Sequence, residues 1–328
     1  MKRGVFMPDI LSHIFMGYDV LNKLSETNKF KSSARMHPGL FNDSLQGPDP
    51  FLYSEIFPWN RSSLSGIGNR MHKEKTGEFL MGMLNDLAIC KDCTDMKSAC
   101  IFGLICHYSM DTICHPYIFF FSGFDYTGQD PEYAAHHKRL ETILDMLLAE
   151  KMLCKAPKLI DRSAFLETSD DVLCAYGDFS KWISHLYGKT ISASEILKSL
   201  KTMKLSLRLL HDPFGFKKPL FALTDSFLGT KGLCRASVYN TEKIKSIDYA
   251  NTANKRWRHP VTGEYSNKSF FDLYQDAVSH AVVRISAADS YIKGDLEKSK
   301  LEKIFPNLDY DTGLAGNGKM IFQNCLFD

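Results

Sequence analysis

The strongest constraint on how this chain can fold is a segment that places three ionisable side chains in apolar surroundings. His107, Asp111 and His115 are spaced four residues apart, so on an α-helix all three project from one face. The residues around them, 99–121, are otherwise almost entirely apolar. Burying imidazole and carboxylate groups without partners is costly, and both groups are common ligands of zinc and similar divalent metals. The spacing therefore predicts a buried helix that carries metal ligands.

Five further potential ligands lie elsewhere in the chain. His137 and Glu141 repeat the four-residue spacing, while His13, Asp49 and His72 stand in unrelated local contexts upstream. For any one histidine alone, a core residue hydrogen-bonded to a carbonyl is the simpler interpretation. Eight candidates from five segments exceed what one ion needs, and together they predict a cluster of two or three metals.

The order and context of these residues resemble the bacterial zinc-dependent phospholipase C family, which shares its all-helical fold with P1-type nucleases. The resemblance covers roughly residues 7–145 and is carried, in chain order, by His13 after Met7-Pro8-Asp9-Ile10, by Gln46-Gly47-Pro48-Asp49-Pro50, by Met71-His72, by His107-x3-Asp111-x3-His115-Pro116, and by His137-x3-Glu141. It implies an all-α, multi-helix fold, which we expect to form a single domain over residues 1–328.

The resemblance also implies a division of the eight ligands among three zinc ions. The first ion would be held by Asp49, His72, His107 and Asp111, the second by His115, His137 and Glu141, and the third by His13 and Asp111. Asp111 would thus bridge two ions, and Asp49 would also orient or deprotonate the attacking water. No cysteine biases the ligand set toward zinc, so manganese or iron remain alternatives.

The function expected from the resemblance is metal-dependent hydrolysis of a phosphodiester, a phospholipid among the candidates. A P1-type nuclease or nucleotidase on the same scaffold is one alternative, and a noncatalytic metal-binding protein is another. Phe51, Tyr53 and Trp59 are candidates for an aromatic wall that contacts the substrate, although such residues also serve as core packing. Pro50 stands where choline-binding relatives carry a tyrosine, so the headgroup stays open.

Charge and cysteine usage bear on partners and compartment. A formal net charge of +2 over 328 residues gives no reason to expect a stable nucleic-acid complex. The first residues lack a sustained apolar core, and nine cysteines without framework spacing are typical of a reducing compartment, so we expect a cytoplasmic protein. The ionisable groups within residues 99–121 argue against a transmembrane segment there. The sequence leaves the oligomeric state open.

Apolar periodicity predicts helices almost throughout the chain. The predicted helices cover residues 7–24, 74–92, 95–114, 131–152, 171–186, 192–211 and 269–298. Pro116 is expected to end the central helix, because proline disfavours helical angles in the residue before it. Residues 213–265 are the least regular part and are expected to form a lid or a substrate wall. The basic face of residues 196–210 is interpreted as the solvated side of a packed helix, with contact to a membrane surface as the alternative.

Overall fold

The computed structural model describes residues 10–57, 60, 64–125, 130–228, 231–238, 247–316 and 318–327. Within them the chain is all-α, as predicted, apart from one two-stranded antiparallel sheet. The helices are α1 (Ile10–Lys23), α2 (Lys29–Met36), α3 (Pro38–Ser44), α4 (Ser65–Lys73), α5 (Thr76–Ile89), α6 (Thr94–Ser122), α7 (Pro131–Leu153), α8 (Leu173–Tyr187), α9 (Ala193–Leu210), α10 (Lys218–Leu228), α11 (Leu233–Ala236), α12 (Phe270–Ile292) and α13 (Lys298–Glu302). The strands are β1 (Trp257–Arg258) and β2 (Tyr265–Ser266), with Trp257 opposite Ser266. Short 3₁₀ turns cover Asp49–Tyr53, Pro157–Leu159, Arg162–Phe165 and Asp170–Val172.

Helix α6 is the axis of the fold. It packs against α1, α2, α3, α5, α7, α8 and α12, and 23 of its residues are buried. Because neighbours surround it, α6 needs no polar face, and its apolar residues extend around the whole circumference. A helix enclosed in this way can carry ionisable side chains only where the surrounding elements supply partners for them.

The expected end of α6 at Pro116 is wrong: the helix runs through the proline to Ser122, so His115 lies well inside it. Proline removes one helical hydrogen bond, and this leaves the carbonyl of Thr112 without its usual donor, at a cost of about 3 kcal/mol. The following turns bury Tyr117 and Phe121, and burial of each such side chain contributes roughly 1.5–3 kcal/mol. Gly313, at φ +65°, packs against the freed carbonyl so closely that a β-carbon would lie 2.1 Å from its oxygen.

The region expected to be irregular, residues 213–265, contains more regular structure than its glycines and prolines indicate. Helices α10 and α11 and strand β1 lie within it, and Pro219 occupies the first turn of α10, where proline is tolerated. Residues 229–230 and 239–246 lie outside the described residues. The proposed lid or substrate wall stays a prediction.

Helix α6 is 29 residues long, yet none of the described helices combines the length and apolar character needed to cross a membrane. All nine cysteines are free thiols in the structure.

Candidate metal centre

The structure brings all eight predicted ligands to one buried place. They come from α1, the 3₁₀ turn at Asp49–Tyr53, α4, α6 and α7. Each side chain belongs to a residue that is no more than 5% exposed, namely His13, Asp49, His72, His107, Asp111, His115, His137 and Glu141. Their donor atoms form three groups in which all atoms lie within 4.8 Å of one another: His13 with Asp49 and His107, His72 with His107 and Asp111, and His115 with His137 and Glu141.

His107 and Asp111 lie one helical turn apart on α6 and face each other. His107 Nε2 is 2.9 Å from Asp111 Oδ2, and its Nδ1 is 3.1 Å from the carbonyl oxygen of Leu45. A carbonyl can only accept a hydrogen bond, so Nδ1 carries the proton and Nε2 is left to face the carboxylate. A backbone contact of this kind fixes the ring of a metal-binding histidine.

His72, on α4, repeats this arrangement. Its Nδ1 lies 2.7 Å from the carbonyl oxygen of Gly68, one turn earlier on the same helix, and its Nε2 lies 2.8 Å from Asp49 Oδ1. The other oxygen, Asp49 Oδ2, is 3.8 Å from His107 Nε2 and has no hydrogen-bond partner in the part of the chain that the structure describes. Asp49 therefore lies between His72 and His107, and the Nδ1 atoms of both rings are hydrogen-bonded to backbone carbonyls.

The turn that carries Asp49 depends on a glycine. Gly47 has φ +52°, and a β-carbon there would lie 2.3 Å from Cδ2 of His107. Any other residue would be strained by the backbone angle and would also push the imidazole away. The glycine in Gln46-Gly47-Pro48-Asp49-Pro50 thus allows the backbone to pass directly beside a ligand.

His13 reaches the centre from α1. Its ring stacks on that of His107, with centroids 4.5 Å apart, and its Nε2 lies 3.4 Å from Asp111 Oδ1. The start of α1 is held by Asp145 of α7, whose carboxylate accepts the backbone N–H groups of Leu11 and Ser12 at 3.0 and 2.6 Å. These are first-turn donors that the helix itself leaves free. Asp145 therefore fixes the helix that presents His13.

The remaining ligands form a second cluster between α6 and α7. His137 Nε2 and His115 Nε2 lie 3.0 and 3.5 Å from Glu141 Oε1. Lys138, buried beside them, places its Nζ 4.0 Å from Glu141 Oε2. This ammonium group adds positive charge to the outer side of the carboxylate.

Asp111 links the two clusters. Its Oδ2 faces His107, whereas its Oδ1 lies 3.4 Å from His13 Nε2 and 3.8 Å from His115 Nε2. The two oxygens of this one carboxylate thus face His13, His107 and His115, which belong to both clusters. This is the position from which a carboxylate can join adjacent ions.

The nearby carboxylates and burial shift the pKa values of several of the histidines. Burial disfavours the charged imidazolium of His72, but the hydrogen bond to Asp49 and the charges of Asp49 and Asp111 outweigh it, and the pKa of His72 rises to about 9. For His115, burial is likewise outweighed by Asp111 and Glu141, and its pKa rises to about 10. His13 differs, since burial and the nearby charge of His107 lower its pKa to about 4.

The histidines in turn lower the pKa values of the carboxylates of Asp111 and Glu141. Burial acts to raise the pKa of Asp111, but His107 and His115 outweigh it and hold this pKa well below its usual range. The pKa of Glu141 is lowered in the same way by His137 and His115 against the effect of burial. The carboxylates are therefore anions that require positive charge beside them.

A divalent metal fits this donor set. Six buried side-chain atoms of these residues have no hydrogen-bond partner among the described residues: His13 Nδ1, Asp49 Oδ2, His107 Nε2, His115 Nδ1, His137 Nδ1 and Glu141 Oε2. Buried polar atoms are nearly always satisfied in folded proteins, so unpartnered atoms concentrated in one place call for an explanation. Imidazole and carboxylate ligands with backbone-fixed rings are a usual environment for zinc.

Two residues near the centre were missed by the sequence analysis because they come from the far end of the chain. Tyr310 is buried, donates its backbone N–H to the carbonyl of His72 at 2.7 Å, and places its ring 5.6 Å from that of His107. The neighbouring Asp311 is buried, pairs with Lys73 at 3.4 Å, and keeps its Oδ1 unpartnered. The only local signal was the turn composition Asp309-Tyr310-Asp311-Thr312-Gly313.

The aromatic residues proposed to contact substrate have different positions. Phe51 and Tyr53 are buried in the 3₁₀ turn that follows Asp49, and the ring of Phe51 lies 6.0 Å from that of Phe179. Both contribute to the core, and their contact with a substrate stays a prediction. Trp59 lies outside the described residues.

Comparison with known proteins gives a match to one family model. The family described as zinc dependent phospholipase C has a sequence model that matches residues 1–196, which is more than half of the chain and includes all eight ligands. No curated protein and no solved structure matches the chain. Tyr310 and Asp311 lie beyond the matched residues, so this chain closes its centre with a segment outside the family match.

Proposed function

The chain belongs to the zinc-dependent phospholipase C family, and we propose that it is a metal-dependent hydrolase of phosphodiesters. The observation that supports the proposal best is the position of Asp111 between two histidine clusters. A single structural ion would need only one of these groups. A hydrolytic centre benefits from adjacent ions that act on one substrate.

The proposed ligands are those that the resemblance implied. Asp49, His72, His107 and Asp111 would hold one zinc ion, His115, His137 and Glu141 a second, and His13 with Asp111 would contribute to a third. When bound there, zinc lowers the pKa of a water molecule toward neutrality and neutralises charge on the phosphodiester.

Asp49 is proposed to orient the attacking water. Its Oδ1 lies 2.8 Å from His72 Nε2, whereas Oδ2 is buried and has no hydrogen-bond partner within the described ranges, so this oxygen is available to accept a proton. The water oxygen forms the new bond to phosphorus, and the bond between phosphorus and the leaving alcohol oxygen breaks. The proton taken from water is then returned to the leaving oxygen, which yields an alcohol and a phosphomonoester.

The other ligands hold the centre in shape. His72 and His107 are fixed by backbone carbonyls, and Gly47 admits the backbone beside His107. Lys138 offsets the charge of Glu141. Such fixed geometry contributes to catalysis because the groups need not reorganise when charge develops.

Hydrolysis assays on the zinc-loaded protein test the proposal. A chromogenic phosphocholine diester, phospholipid in mixed micelles and single-stranded DNA are supplied in turn, with and without a chelator. We expect chelator-sensitive release of alcohol from a diester. Cleavage of DNA alone would assign the scaffold to a nuclease, and a zinc-loaded protein that cleaves none of the substrates would overturn the hydrolase proposal.

A further inference from the structure

Five large apolar side chains after α9 project into solvent. Phe214, Phe216, Leu220, Leu223 and Phe227 are 77%, 83%, 60%, 67% and 88% exposed, and we refer to them together as the apolar ridge. Scattered exposed apolar residues are normal, but a concentration of this kind marks an interaction surface.

The ridge has two parts, a turn and a helix that follow each other in the chain. Leu220, Leu223 and Phe227 are separated by three and four residues on α10, so they project from the same side of the helix. Phe214 and Phe216 flank Gly215, which has φ +76°, and their rings are stacked with centroids 6.0 Å apart. The turn and the helix therefore each present exposed apolar side chains, within a stretch of 14 residues.

Hydrogen bonds inside the segment hold the ridge in this form. Asp212 Oδ2 accepts the backbone N–H of Lys217 at 2.8 Å, and Lys217 Nζ donates to the carbonyls of Leu209 and His211, which end α9. At the other end, the Asp225 carboxylate accepts the backbone N–H of Cys234 at 2.8 Å. Asp212, Lys217 and Asp225 thus bond to the backbone of this region, while the five apolar side chains stay exposed.

Basic side chains outnumber acidic ones in the segment that carries the ridge. Residues 197–228 contain six basic and two acidic side chains, although the whole chain has a formal charge of only +2. The two acidic residues, Asp212 and Asp225, are buried, and their carboxylates accept the hydrogen bonds just described. On the outer face of α9, Lys198 and Arg208 are exposed beside Leu205 and Leu209. Exposed phenylalanine and leucine bordered by lysine and arginine are the composition of interfacial membrane surfaces.

We propose that the apolar ridge docks this protein on the surface of an anionic phospholipid bilayer. Phe214, Phe216 and Phe227 enter the boundary between headgroups and acyl chains, while Lys198 and Arg208 attract the anionic headgroups. The inference rests on the proposed function and narrows it, because it makes the substrate a phospholipid presented in a membrane. Helix α9, which leads into the ridge, packs against the 3₁₀ turn that carries Asp49.

A second copy of the chain is a less favourable occupant. In a two-fold dimer the same surface faces itself, which would bring the exposed Lys198 and Arg208 of one copy toward those of the other. Like charges across an interface oppose association, whereas an anionic bilayer complements them.

Sedimentation with vesicles tests the docking without relying on catalysis. The full chain is mixed with vesicles of phosphatidylcholine that contain about one third phosphatidylserine, and with vesicles of phosphatidylcholine alone. The test variant carries Phe214→Ser and Phe216→Ser. The matched control carries Ile89→Ser, which removes an 81% exposed apolar side chain at the end of α5. Since all three positions are exposed, none of these changes opens a cavity in the core.

We expect the wild type and Ile89→Ser to sediment with the anionic vesicles, and the double variant to lose binding about tenfold or more. Hydrolysis of a soluble diester should be equal in all three proteins. A wild type that stays in the supernatant, a double variant that binds as well as the wild type, or a wild-type dimer that the double substitution converts to monomer would overturn the proposal. Vesicle binding without hydrolysis of any diester would support the docking surface and contradict the proposed function instead.

Discussion

Nε2 of His107 lies 2.9 Å from Oδ2 of Asp111, although Nδ1 of the same ring is committed to the carbonyl of Leu45. A neutral imidazole in this position directs a lone pair at a carboxylate, which is repulsive unless the ring takes up a second proton or a cation binds both groups. Asp111 also faces His13 and His115 through its other oxygen. The space around Asp111 is therefore a site where positive charge would be stabilised, and His13, His107 and His115 all border it.

Replacement of Asp111 by alanine tests this bridging role. We expect the zinc content of Asp111→Ala to fall by more than one ion per chain and diester hydrolysis to be lost, because two proposed ions share this carboxylate. Plasma mass spectrometry of the purified protein measures the metal. Asp276→Ala, on the surface of α12, is the control and should keep full metal. A full zinc content in Asp111→Ala would contradict the bridging assignment.

Asp49→Asn separates chemistry from substrate binding. The amide keeps the size of the side chain but is a much weaker proton acceptor, so kcat should fall by roughly 10²–10⁴-fold with a much smaller change in KM. Steady-state kinetics on zinc-loaded protein measures both constants, and metal analysis of the same sample shows whether the ions are retained. An increase in KM with unchanged kcat would mean that Asp49 does not act on the water.

Asp145→Ala tests how α1 is positioned. Loss of the carboxylate leaves the backbone N–H groups of Leu11 and Ser12 without their acceptor, which should lower the free energy of unfolding by about 1–3 kcal/mol. Urea unfolding in the presence of chelator measures this loss separately from metal binding. Glu302→Ala, which removes an exposed ion pair with Lys298, should change stability by less than about 1 kcal/mol. Equal stability of the two variants would contradict the role of Asp145.

The pH dependence of stability should reverse when metal is supplied. The pKa values of His72 and His115 are raised to about 9 and about 10, so their contribution to the stability of the metal-free protein is full below the unfolded pKa of 6.5 and is lost as pH rises through 9 and 10. Zinc needs the neutral imidazoles, so its affinity should increase with pH over the same interval.

Thermal unfolding between pH about 7 and about 10 follows both effects. With chelator, the melting temperature should fall across this range as the two histidines lose their protons. Calorimetric titration with zinc at pH about 7 should show release of protons to the buffer. Zinc binding without proton release would contradict the protonation of these histidines in the metal-free protein.

Most of the helical architecture could be predicted from the sequence, because apolar periodicity reports which side of a helix is buried. The central helix shows where local reasoning ends. Pro116 is a stop signal within its own neighbourhood, yet the burial of Tyr117 and Phe121 by other elements carries the helix onward. Tertiary packing of this kind leaves no trace in the residues next to the proline.

The same distinction applies to the candidate site. The ligands on α6 and α7 follow from spacing, since four residues always bring two side chains to one face of a helix. The approach of Tyr310 to His72 joins positions more than two hundred residues apart along the chain, and no local pattern encodes it. The contact between Gly313 and the carbonyl of Thr112 is of the same kind.

The metal content of the wild-type chain tests the central claim most directly. The protein is purified without added metal or chelator, and its zinc, manganese and iron are measured by plasma mass spectrometry against the protein concentration. The convergence of eight buried ligands into linked groups predicts two or three ions per chain, with zinc as the metal of the family. A chain that is empty and takes up no zinc on titration would contradict the account.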